Sequence, residues 1–149
     1  MKKQIILSLI FLHVISYSIY AQEYKWVKRA GLWAYDYGYG ICADGMGNVY
    51  VAGKYEMEAV FDEFTLSCEG NHDIFIAKYG PDGNVKWVRN AGGLYGDYAH
   101  AITCDAEGNT YMTGEIESSV IFHGSDIKLE AWGRNDIYVA KYSPDGIPL

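Results

Sequence analysis

Oxygen-bearing side chains recur twice at one spacing, as Asp44-x-x-Gly47-Asn48 and Asp105-x-x-Gly108-Asn109. Carboxylate and amide oxygens so arranged could ligate calcium. The alternating carboxylates and closing Glu of an EF-hand loop are missing, however, and Asp and Asn also hold tight turns by accepting bonds from their own backbone. Asp44, Gly47, Asn48, Asp105, Gly108 and Asn109 are therefore expected to be structural turn residues. Pro81-Asp82-Gly83 and Pro144-Asp145-Gly146 belong to the same class. There Pro presets φ, and Gly supplies the positive φ that reverses the chain.

His72, His100 and His123 lie far apart and have no ligand-like spacing to Cys or carboxylate. Cys42, Cys68 and Cys104 are widely spaced and form no C-x-x-C. One bonded pair plus a buried thiol fits them, and so do three buried thiols. Asp36 and Asp97 could in principle act as a glycosidase pair. They occupy the same position in two copies of a repeat, which favours a structural role. No nucleophile elbow, zinc-protease helix or phosphate-binding loop occurs. The expectation is a chain that is not an enzyme and uses no cofactor and no metal, with a hydrolase as the distant alternative. Aromatic residues are what remain. Trp33, Tyr35, Tyr95 and Trp132 fall near loops, where flat rings could stack on sugars or anchor a protein partner. Tyr37, Tyr39 and Tyr98, inside strands, are expected to pack between sheets.

The elements that must position these residues follow from an internal repeat. A shift of 61 lays Trp26–Phe61 over Trp87–Phe122 with 14 of 36 positions identical and no gap. Two inserted residues later, Asp73–Gly83 lies over Asp136–Gly146 with 8 of 11 identical. Such self-similarity marks a repeat architecture. Asp73 to Tyr79 alternates with the period of a strand. Trp26 to Arg29 and Trp87 to Arg89 are predicted strands. Asp36 to Ala43 and Asn48 to Lys54 form a predicted hairpin around Gly47, matched in the second copy around Gly108. Val60 to Cys68 and Val120 to Leu129 are weaker strand predictions. No segment after residue 21 carries a 3.6-residue period, so almost no helix is expected. Both faces of these strands are apolar or small, which suits sheets stacked face to face more than a sheet with one wet side.

Asp36–Asp44, Gly47–Gly53 and Asp73–Tyr79 closely resemble the SBBP repeat, a β-propeller repeat common in exported bacterial proteins, and the second copy resembles it with Thr103-Cys104 and Thr110 as small departures. The resemblance implies an all-β fold: β-propeller-type repeats of antiparallel strands in four-stranded blades. It implies little about activity. Two repeats give two blades, fewer than the 4–8 of a typical propeller. Either the strand around Trp26 completes the last blade of another chain, so that a dimer makes four blades or a trimer six, or the chain is a truncated structural fragment of a larger surface propeller.

The N-terminus sets the expected compartment. Lys2 and Lys3 precede an apolar stretch from Ile5 to Ile15, and Ala21 ends the segment, the order of a secretory signal peptide. The apolar run is too short to span a membrane. The expected division is a signal peptide at 1–21, a first repeat at 22–86 and a second at 87–149. An exported protein is implied, whether periplasmic, extracellular or at the cell surface. A net charge of −7 argues against nucleic acid and anionic lipid as partners. The functional expectation is a recognition or scaffold module that binds glycan or protein through blade loops.

Overall fold

The computed structural model describes residues 25–149; the signal peptide assigned to 1–21 lies outside them. The described residues are all-β, without a helix. The first repeat supplies β1 (Tyr37–Ala43), β2 (Val49–Tyr55), β3 (Glu58–Phe61), β4 (Phe64–Ser67) and β5 (Asp73–Tyr79). Then come β6 (Val85–Gly92), β7 (Tyr98–Cys104), β8 (Thr110–Ile116), β9 (Ser119–Phe122), β10 (Lys128–Glu130) and β11 (Asp136–Tyr142).

Each repeat builds an antiparallel meander. β1, β2, β5 and β6 pair in that order, and β9 and β10 extend the same sheet beyond β6. The second repeat forms a separate sheet in the order β11-β8-β7, and β3-β4 stands as a hairpin. The 86/87 division of the sequence falls inside β6, which pairs with β5 of the first repeat. Sequence repeat and sheet are thus offset by one strand.

Three of the strand predictions change. The stretches 60–68 and 120–129 are each two short strands, because a reversal interrupts them: Asp62 at φ 49° between β3 and β4, and Gly124 at φ 88° between β9 and β10. Asp tolerates the left-handed region as few side chains do. Trp26 to Arg29 forms no strand. Its repeat counterpart, Trp87 to Asn90, pairs with β5, and once that edge is occupied no β5-like edge is within reach of Trp26.

The two sheets stack through an apolar core in which Tyr50, Ile74, Ile76 and Trp87 of the first sheet meet Met112, Tyr138 and Tyr142 of the second. The inner strands come very close: a Cβ at Gly40 would lie 2.9 Å from the Ile102 amide nitrogen. A second core forms on the far face of the first repeat, where Tyr55, Phe61, Phe75 and Tyr79 pack together under Trp26 and Ala30. β5 is consequently buried along its whole length, the condition foreshadowed by its run of apolar residues on both faces.

Candidate functional site

The turn residues behave as their chemistry demands. Asp44 Oδ1 accepts the Met46 and Asn48 amides, each at 2.9 Å, while Oδ2 accepts Asn48 Nδ2 at 2.7 Å and the Tyr50 hydroxyl at 3.1 Å. Burial pushes this carboxyl upward, but the Asn48, Met46 and Tyr50 donors outweigh it and hold it below its ordinary value. Asp105 repeats the arrangement with Asn109 and Tyr111. Gly47, Gly83, Gly108 and Gly146 all take positive φ. Asp82 accepts the Asn84 amide and side chain, and Pro144 offers its carbonyl to Trp87 Nε1 at 3.0 Å. Asp145 offers its carbonyl to Arg89, and Pro81 lies against Gly47. All these turns lie at one end of the strands.

The loops with the predicted aromatics lie at the other end, where β1, β5, β7 and β11 begin. Four aspartates govern them. Asp36 Oδ2 accepts the Leu32 amide, Asp73 Oδ2 the Glu69 amide, and Asp136 Oδ2 the Trp132 amide, each closing a loop four residues back. Asp97 Oδ1 accepts the Glu117 amide at 2.9 Å, as Asp36 Oδ1 accepts that of Glu56. This is structural work for both Asp36 and Asp97.

Trp33, Tyr35, Tyr95 and Trp132 are all exposed, Trp33 and Trp132 to 88% and 93%. They do not converge. Tyr95 sits where the repeats join, its carbonyl accepting the Asn71 amide at 3.2 Å. Trp33 and Tyr35 precede β1, Trp132 precedes β11, and none of the four stacks on another ring among the described residues.

Rings that the sequence placed between sheets or left scattered form a row instead. Tyr37 stacks on Tyr39 with centroids 5.8 Å apart and planes 4° from parallel. Tyr39 meets His100 at 5.9 Å, His100 stacks on Tyr98 at 5.9 Å, and His72 meets the Tyr98 ring edge-on at 5.3 Å. The Lys54 ammonium lies 5.2 Å from the Tyr37 centroid and 5.4 Å from that of Tyr98, and 3.2 Å from Glu56 Oε1. The same Glu56 oxygen is 3.4 Å from His72 Nδ1, and Glu115 Oε1 is 3.5 Å from His100 Nε2. Burial pushes the Tyr98 phenol up, with Lys54 opposing.

A backbone irregularity positions this row. The β1–β2 register skips between Gly38 and Gly40, and the β7–β8 register between Ala99 and Ala101. The skipped residues are Tyr39 and His100, the same position of the repeat. A bulged residue lacks a cross-strand partner, and its side chain is re-aimed. Tyr37 and Tyr39, expected between sheets, are 44% and 45% exposed because β1 is the edge of its sheet and the bulge turns them outward. Gly38-Tyr39-Gly40 set against Ala99-His100-Ala101 was the signal available in the sequence: a large residue between two small ones, at one register in both repeats.

Beneath the row lie Asp73 and Asp97, both fully buried, with Asp73 Oδ1 and Asp97 Oδ2 lacking a hydrogen-bond partner. Burial, helped by the Asp73 charge, pushes the Asp97 carboxyl up to about 6. Burial also raises Asp73, against the Glu69 amide and Cys68. The three thiols are unbonded. Burial pushes the Cys68 thiol up to about 11 and raises Cys42 well beyond its ordinary value, with Cys104 beside it adding to the effect. Neither Cys42 nor Cys68 is therefore an activated nucleophile.

Comparison with known proteins agrees with this geometry. Residues 25–54 match the SBBP family, described as a beta-propeller repeat. The chain is also 24% identical over 151 residues to an uncharacterized WD repeat-containing protein of Acanthamoeba polyphaga mimivirus, a match covering 82% of this chain and 11% of that protein. The chain thus spans about a tenth of that relative's length. The matched segment runs from Lys25 through β1 and β2, so the repeat begins at the Trp26 segment and not at the first strand. Residues 25–54 are thus similar to the SBBP β-propeller repeat, and the same pattern recurs 61 positions further on.

Proposed function

We propose that this chain is an exported, non-catalytic recognition module that takes a glycan at the loop end of its repeat scaffold. The observation that carries this reading is the ring row Tyr37–Tyr39–His100–Tyr98–His72, with Lys54, Glu56 and Glu115 along it. A sugar ring has an apolar face, which suits stacked aromatic rings, and a hydroxyl rim, which suits imidazole and carboxylate partners. The Trp33 and Trp132 loops stand at the same end of the strands and would extend the area a chain of sugars could cover. No side chain in the row is arranged as a nucleophile with its base. Export rests on the charged, apolar, small-residue order of 1–21, and N-terminal sequencing of the protein recovered outside the cytoplasm is expected to begin at Gln22.

Binding to a glycan array tests the recognition reading. Tyr39→Ala and His100→Ala are each expected to weaken binding about tenfold, the equivalent of 1.4 kcal/mol, with the β-rich circular dichroism spectrum retained. Trp132→Ala is expected to weaken only longer glycans. Full binding by both row variants would rule out this surface. Turnover of any polysaccharide or ester by the purified protein would rule out a non-catalytic role.

A further inference from the structure

The geometry points to head-to-tail association of copies of this chain, in which the contact seen between the two repeats is remade between the second repeat of one copy and the first repeat of the next. This inference is independent of what the loops bind.

Both halves of the missing contact are present. On the second repeat, Ile137 and Val139 are 84% and 75% exposed, whereas their counterparts Ile74 and Ile76 are fully buried against the next sheet. Around Val139 an open cavity of ≈ 330 Å³ is lined by Ala101, Ile102, Tyr111 and Met112. On the first repeat, a cavity of ≈ 330 Å³ opens between Ile41, Val49, Val51, Phe75 and Tyr79. Phe75 and Tyr79 are the counterparts of Tyr138 and Tyr142, which receive Ile74, Ile76 and Trp87 in the observed interface. Each exposed face therefore has its fitted complement on the other end of the same molecule.

The Trp26 segment shows the same vacancy. Trp26 stacks on Tyr79 at 5.8 Å and lies against Gly83, as Trp87 lies against Gly146. The Gly31 amide donates to the Val60 carbonyl at 3.1 Å, the bond that Gly92 makes to β9 as the pair Gly92–Ile121. Residues 26–31 thus sit against the first repeat as β6 sits against the second, but their other edge pairs with no strand among the described residues. The strand that this edge fits is a β5-like one, and β11 is that strand, its outer edge carrying only the Tyr142–Pro148 bridge among the described residues. Carrying the β5–β6 register across places Ala30 opposite Ile137, Lys28 opposite Val139 and Trp26 opposite Lys141 of the neighbouring copy.

Polar groups follow the same translation. Lys78 donates to the Pro144 carbonyl at 3.0 Å; Lys141, its counterpart, would donate to Pro81 of the next copy. The Asp97 amide donates to the His72 carbonyl at 2.9 Å; Asp36 would donate to Asn135 of the preceding copy. That last bond brings the Trp132 loop of one copy beside Trp33 and Tyr35 of the next. One local adjustment is required. Ala101 stands where Gly40 stands, so the inner strands of neighbouring copies must lie a few tenths of an ångström farther apart than β1 and β7. With two repeats per chain and 4–8 blades in a closed propeller, about two to four copies complete a ring.

Light scattering on the exported full-length product tests this. The expected mass is a fixed two-, three- or fourfold multiple of the chain, and Val139→Asp is expected to reduce it to a single chain with its β-signal intact. A second test does not depend on that variant folding. Val27→Cys and Ala140→Cys, placed opposite each other by the register, are introduced in separate chains and co-produced. A disulfide-linked pair is expected in the mixture and in neither variant alone. A folded monomer at all concentrations, open-ended filaments, or no linked pair from the mixture would each overturn the inference.

Discussion

Asp44 and Asp105 hold equivalent turns with equivalent bonds, yet Asp44 is buried and Asp105 only partly so. The second repeat covers the first turn: Gly108 lies over Asp44 and the Tyr50 hydroxyl that bonds it. Removing a buried acceptor strands its donors, whereas water replaces an exposed one. Asp44→Ala is expected to cost about 2–3 kcal/mol in urea unfolding, and Asp105→Ala clearly less. A larger loss at Asp105 would mean that its turn organises more than itself. Asp97 makes a different kind of residue-scale prediction. Its folded carboxyl titrates near 6, and its unfolded one near 3.9. Below about pH 4 it is protonated in both states. Between about pH 4 and 6 the unfolded chain releases its proton first, so folding loses stability as pH rises, by roughly 3 kcal/mol at pH 7. Asp97→Asn is expected to flatten that slope, measured as unfolding free energy from pH 4 to 7. The turn aspartates were legible in the sequence because Asp-x-x-Gly-Asn has one dominant local use. Asp97 was legible as structural through its match to Asp36 in the other repeat. Its raised proton affinity was not, since that depends on two loops from different repeats closing over it.

At the scale of elements, strand periodicity and turn chemistry located β1, β2, β5 and their second-repeat counterparts to within a residue or two, because alternation and Gly-Pro-Asp turns are local signals. The Trp26 strand was overread for the opposite reason. A strand needs an edge to bond, and the edge that its sequence matches is on β11. The ring row was hidden in the same way, since a bulge is a property of a pair of strands and not of one. Gly40 illustrates how tightly those strands meet. Gly40→Ala places a methyl 2.9 Å from the Ile102 nitrogen and is expected to destabilise by about 1–3 kcal/mol, the usual cost of overpacking. The mirror change, Ala101→Gly, meets no such neighbour in a single chain and is expected to be nearly neutral there. Thermal unfolding of the two variants side by side checks the contrast.

For the whole molecule, the apolar faces left open on both repeats make stability a function of concentration. If copies associate only when folded, raising the protein concentration raises the unfolding temperature. A Tm that climbs over a hundredfold rise in protein concentration is expected, and one that stays constant would mean that two repeats stand alone. The two-repeat organisation was legible from the chain itself; which faces remain uncovered was not, because the same residue types, Ile74 and Ile137, are buried in one copy and open in the other.

β5 lies sealed on both faces while β11 is open along one, and this sets a gradient in how long each backbone amide keeps its hydrogen in deuterated water. In a lone chain, β5 amides should exchange only through global unfolding, whereas those of β11 should exchange through local fraying that starts at the second repeat. Mass-resolved exchange on peptides from the two strands would show a slow and a fast population from nearly the same sequence. Where neighbours cover β11, the two rates should converge, and the difference between repeat-equivalent peptides becomes a direct gauge of how much of the protein stands with its outer sheet uncovered.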